Sequence, residues 1–117
     1  MKERNARVED LLRSELARIL VRDVKDPRLG MVTVSYLRVS RDFSHAEVGI
    51  SALGTDPERE ASVETLVRAQ GFVRSRLARN MRLRRVPELS FKLDRGAEHS
   101  QKISKILETL NDDTESA

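Results

Sequence analysis

The chain reads as an α+β domain, and three patterns predict it. Apolar residues recur at helical spacing over the first part of the chain, and two runs of apolar–polar alternation lie between residues 31 and 52. A long helical stretch then leads into a third alternating run near residue 90. A three-stranded sheet with helices packed on one face satisfies all three.

From about Asn5 to Asp23, Val8, Leu11, Leu12, Leu16, Ile19 and Leu20 fall at i, i+3, i+4 spacing and form one buried stripe. Arg7, Glu9, Asp10, Arg13, Glu15, Arg18 and Arg22 occupy the other side, and this mixture of signs reads as a solvated face. Asp26-Pro27-Arg28-Leu29-Gly30 stops the helix, since proline restricts the residue before it and glycine permits a turn. Met31 to Ser40 is rich in β-branched residues: Val32, Val34 and Tyr36 alternate, then the phase moves to Leu37 and Val39. Such a shift predicts a bulge, or a central strand covered on both faces. Arg41-Asp42-Phe43-Ser44 forms the turn, and Ala46, Val48, Ile50 and Ala52 mark the second strand of a hairpin.

Gly54-Thr55-Asp56-Pro57-Glu58 predicts a helix start, with Thr55 or Asp56 as cap and Pro57 in the first turn. Ala61, Val63, Leu66 and Val67 continue that helix to Ala69. Gly71 interrupts the pattern, and because a mid-helix glycine costs about 1 kcal/mol relative to alanine it marks a kink between two helices. Pro87 ends the second of them. Leu89, Phe91 and Leu93 give the third strand, and Ile103, Ile106, Leu107 and Leu110 a final helix. Residues 1–110 are thus one domain, and 111–117 an acidic tail of disordered composition.

At 117 residues, 38% apolar and 35% charged, the chain is long enough for a core of its own. It has no cysteine, which suits a reducing compartment, and no run long and apolar enough for a membrane span. A cytoplasmic, membrane-free protein is expected. The five glycines form neither a GxxxxGK[ST] nor a GxGxxG phosphate loop, and His45 and His99 lack partners at metal-ligand spacing. Asp23, Asp26 and Asp42 read as helix-end and turn residues. No enzyme, metal, cofactor or small-molecule substrate is predicted.

The charge has one outstanding feature. Residues 1–107 hold 22 basic side chains against 15 acidic ones, an excess of seven. The stretch 68–85 alone holds seven arginines and no acid: Arg68, Arg74, Arg76, Arg79, Arg82, Arg84 and Arg85. On a helix, Val73, Leu77 and Met81 would share one face and most of the arginines the other. Guanidinium groups bind phosphate bidentately and stack on bases, so this face points to nucleic acid. The only aromatics are Tyr36, Phe43, Phe72 and Phe91, too few for a stacking sheet, so backbone and shape contacts are expected. Phe72, beside the kink, reads as a core residue.

The order α-β-β-α-α-β is that of a type II KH domain, but with Ala69-Gln70-Gly71 where the GxxG clamp would stand. That corner resembles the bacterial ribosome-binding factor A family, as do Lys25-Asp26-Pro27-Arg28-Leu29-Gly30 before the first strand and Val39 to Ala46 across the hairpin. The likeness covers about residues 3–110. It implies a monomeric, non-catalytic assembly factor of the free small (30S) ribosomal subunit and its rRNA. Such a factor acts late in 16S rRNA maturation near the 5′ end and is associated with growth in the cold. The family's interhelical kink falls on Ala69, Gln70 and Gly71 and its RNA-facing surface on the arginines. Two other readings fit the basic helix: a KH-like module for another RNA, or a protein-interaction module for an acidic partner. A helix-turn-helix is disfavoured, since no three- to four-residue turn separates the two helices.

Overall fold

The computed structural model describes residues 2–96, and side chains from Ala6 onward. The predicted final helix, His99 and the acidic tail lie outside the described residues. The elements follow the predicted order: α1 (Lys2–Arg22), β1 (Val32–Val39), β2 (His45–Ala52), α2 (Asp56–Arg68), α3 (Gln70–Met81) and β3 (Glu88–Leu93).

The sheet has the order β1-β2-β3. β1 and β2 form an antiparallel hairpin, while β3 pairs parallel to β2, its Phe91 opposite Val48. A parallel neighbour needs a long crossover, and α2 with α3 supplies it. Leu12, Leu16, Ile19 and Leu20 of α1 meet Val48 and Ile50 of the central strand, with Val73 and Leu77 of α3 and Leu66 of α2 completing one core. α1 packs on β1 and α3, and α2 packs on β3. Polar contacts tie the layers. Glu9 Oε1 accepts the Val39 N–H at 2.9 Å, and the buried Ser62 Oγ accepts the Gly30 N–H at 3.1 Å. At the start of α2, Thr55 is the cap. Its Oγ1 accepts the Glu58 N–H, and Glu58 Oε1 accepts the Thr55 N–H, a reciprocal capping box.

The predicted irregularity in β1 is a bulge, one residue earlier than the pattern places it. The register shifts between Val34, opposite Ile50, and Tyr36, opposite Gly49. Val32 and Val34 therefore face the core before the extra residue, Ser35, and Leu37 and Val39 face it afterwards. Tyr36 turns to the outer face, where its ring occupies the space a Cβ on Gly49 would need. Its hydroxyl donates to Glu47 Oε2 at 3.0 Å, Glu47 pairs with Lys92 at 3.1 Å, and the Arg38 guanidinium lies 5.0 Å from the ring centre. Burial and the nearby carboxylate push the Tyr36 hydroxyl pKa up, while Lys92 and the tyrosine hydrogen bond lower that of Glu47. Gly49→Ala should destabilise the protein by about 1–3 kcal/mol, as overpacking does. Urea unfolding of Gly49→Ala in wild-type and Tyr36→Ala backgrounds checks this, since the loss should shrink once the ring is gone.

The hairpin turn is held by Asp42, whose Oδ1 accepts from Ser40 Oγ, Ser44 Oγ and the Ser44 N–H at 2.7–3.1 Å. Those bonds lower its pKa from 3.8 to about 2. The folded carboxylate binds its proton more weakly than the unfolded one. Its stabilisation is therefore complete above about pH 4 and disappears as pH falls towards 2. Stability of Asp42→Asn, followed by urea unfolding at stepped pH, should fall less steeply over that window than wild type; equal slopes would refute the assignment.

Candidate nucleic-acid interface

Of the apolar stripe predicted for the arginine segment, Val73 and Leu77 are fully buried, and Met81 is half-buried against the core. The helix ends sooner than Pro87, however. Arg82 adopts the left-handed conformation (φ 53°, ψ 43°), the Leu83 N–H donates to the Ala78 carbonyl at 3.0 Å, and the Arg82 N–H reaches the Arg79 carbonyl. This is the Schellman arrangement, formed on arginine instead of the usual glycine. Residues 82–87 are consequently a loop. Leu83 and Val86 pack against the core and Pro87 is buried, while Arg82, Arg84 and Arg85 stay exposed. The predicted helical face is in fact two surfaces: Arg76 and Arg79 on α3, and three arginines on the loop behind it.

Arg74 has a different environment. Its Nε donates to the Pro87 carbonyl at 3.2 Å and its Nη2 to the Val86 carbonyl at 2.8 Å. It commits these donors to holding the loop onto α3, so it anchors the arginines beyond it.

The corner at 69–71 also differs from expectation. The bend centres on Ala69 (φ −85°, ψ 3°), the single residue between α2 and α3, and Gly71 lies inside the first turn of α3. A Cβ on Gly71 would meet nothing within 4 Å. The glycine therefore does not make the kink. α2 packs on β3 and α3 on α1, and Ala69 absorbs the change of direction between them. Gln70 fixes it, its Oε1 accepting the Leu89 N–H of β3 at 3.0 Å. Gly71 is exposed, as are Arg68 and Phe72 on either side of the corner.

The fold also recruits basic residues whose sequence pattern suggests only a solvated face. A polar cleft of about 210 Å³ between α1 and α3 is lined by Arg18 and Arg22 of α1 with Arg76 of α3, alongside Glu15, Asp23 and Asn80. Glu15 is engaged there, accepting from Asn80 Nδ2 at 2.8 Å and lying 3.9 Å from Arg18. Three arginines and two acids thus line one cleft, for a net charge of +1. The sequence does carry a signal, because Arg18 and Arg22 stand one turn apart, but only packing shows which helix they face. A second hollow, about 480 Å³, lies among Leu20, Val21, Met31 and Leu53 and has no charged lining. Among the described residues no group of His, Cys, Asp and Glu could hold a metal, and no helix is long and apolar enough to cross a membrane.

Fold and corner together define a KH-like α+β domain in which a broken helix pair replaces the GxxG clamp. The family model described as Ribosome-binding factor A matches residues 4–107. The chain belongs to the ribosome-binding factor A family. It is 42% identical to ribosome-binding factor A of Thermomicrobium roseum over 92% of this chain and 83% of that one. With the Desulforamulus reducens protein of the same name identity is 39%, over 95% and 92%. The crystal structure of ribosome-binding factor A from Thermus thermophilus is similar at a TM-score of 0.71 and 34% identity, covering 79% of this chain and 97% of that one. A homology model of the Thermus thermophilus factor, fitted into the cryo-EM map of a 30S–RbfA complex, gives 0.65 at 34% identity, over 75% and 92%.

Arg74→Ala should lower stability by about 1–2 kcal/mol, because it frees two carbonyls from a charged donor. Arg79→Ala, on the exposed face, should stay within about 0.5 kcal/mol of wild type. Chemical denaturation of the two variants side by side decides it.

Proposed function

We propose that this chain binds the free small ribosomal subunit through its rRNA, without catalysis, and assists late maturation of 16S rRNA near its 5′ end. It acts in the cytoplasm as a monomer, without cofactor or small-molecule substrate, and its activity matters most for growth in the cold. One observation carries the reading: the seven arginines of 68–85 have no acid among them, and six of them do not hold the loop as Arg74 does. A related factor fitted into a 30S complex supports the subunit as the target.

The arrangement suits recognition of folded RNA. Arg76 and Arg79 on a rigid helix and Arg82, Arg84 and Arg85 on an anchored loop can meet phosphates on separate stretches of backbone, with little reordering of the main chain on binding. Arg68 extends the surface around the corner.

Binding should weaken steeply with salt. Five arginine–phosphate contacts at about 0.7 counterions each give a log–log slope of about −3.5. Sedimentation with purified small subunits across a salt series measures it. Joint reversal of Arg79, Arg82 and Arg85 to glutamate should abolish co-sedimentation. A slope near zero, or undiminished binding by the reversed protein, overturns the proposal. Capture of other RNA without subunits, or subunit binding that survives nuclease, would assign the surface to a general RNA module or to a protein partner.

A further inference from the structure

Phe72 is the one phenylalanine without a place in the fold. Phe91 is in the core and Phe43 packs against it, whereas Phe72 is 43% exposed and does not join the apolar side chains that surround the core. Its ring carries the Arg76 guanidinium 5.2 Å from its centre, one helical turn further along α3. Arg76 in turn lines the cleft that holds Arg18 and Arg22. Gly71, the residue before Phe72, is exposed as well. Val67 of α2, half exposed, also stands outside the core, with Val63, Glu64 and Arg68 in a shallow hollow.

An aromatic ring exposed to water contributes little to the stability of the free chain. Here the Arg76 guanidinium lies against the ring, and the same arginine lines the cleft where Arg18 and Arg22 stand with Glu15 and Asp23. Unpaired bases stack on aromatic faces and on guanidinium planes, and their phosphates go to neighbouring cations. We propose that Phe72 is a stacking seat for one unpaired RNA base, with Arg76 closing the far side of the ring. This rests on the RNA-binding reading above and adds to it a contact that is not ionic. The guanidinium against the ring favours a nucleotide over an apolar protein side chain, which would gain nothing from that charge.

The chain contains no tryptophan, so Phe72→Trp installs a single fluorescent reporter at the seat. Titration of that variant with a single-stranded oligoribonucleotide, and with small subunits, should quench the indole; the same oligonucleotide in duplex form should quench it far less. Phe72→Ala and Phe72→Leu should each bind small subunits about tenfold more weakly, with the salt slope of wild type, since stacking releases no counterions. Thermal unfolding midpoints near wild type establish that all three variants fold. An unquenched indole overturns the stacking seat, as does Phe72→Leu binding as tightly as phenylalanine, or a loss confined to subunits and missing on naked RNA. Failure of the arginine reading looks different: a flat salt response of the wild-type protein, whatever residue 72 is.

Discussion

Val73 and Leu77, one turn apart on α3, decide where the arginines point. Both are fully buried, and burying a valine and a leucine contributes about 3–6 kcal/mol together. Like charges one turn apart on a helix, such as Arg76 and Arg79, oppose that by only a few tenths of a kcal/mol. Apolar burial therefore wins by roughly tenfold, and the helix keeps its cationic side outward despite the repulsion. Arg74, next to Val73 at the margin of the buried stripe, behaves differently for the same reason. It is close enough to the interior to reach the Val86 and Pro87 carbonyls, and there it acts as a strut.

The same constraint places α1. Because α3 buries its stripe against α1, the arginines near the end of α1 are brought beside Arg76, and a face of mixed charge becomes one wall of a cleft where three arginines stand with two acids. The outer face of the sheet is organised separately. Tyr36, Arg38, Glu47 and Lys92 satisfy one another across three strands, so their charges are largely internal to the network.

What is legible in the sequence is whatever depends on local pattern: the α1 stripe, the hairpin, the helix start at Thr55 to Pro57, the third strand and the concentration of arginine. What stays hidden depends on packing partners or on unusual residues in ordinary roles. The pattern runs helix α3 through to Pro87 because its true stop is a left-handed arginine, and no glycine announces it. Gly71 draws attention as a breaker, yet the break is at Ala69, where α2 and α3 part towards different neighbours. Tyr36 looks like a third inward residue because a bulge at Ser35 leaves no mark except the later phase. Phe72 reads as core on hydrophobicity alone; only the packing of its neighbours shows that no core remains for it to enter.

The parallel pairing of β3 with β2 has a consequence for the order of assembly. The β1–β2 hairpin closes over a few residues and can form early, but β3 joins only after thirty-odd residues of crossover have been laid down, a non-local step that is slow to nucleate. Residues 82–87 are held by Arg74, by packing of Leu83 and Val86, and by the strand that follows them. A chain whose third strand has not yet docked would carry its arginines on a loose tether, without the spacing that matches a folded RNA. Completion of the sheet is thus also the point at which the basic surface takes its shape, which couples competence for a structured target to the docking of the third strand.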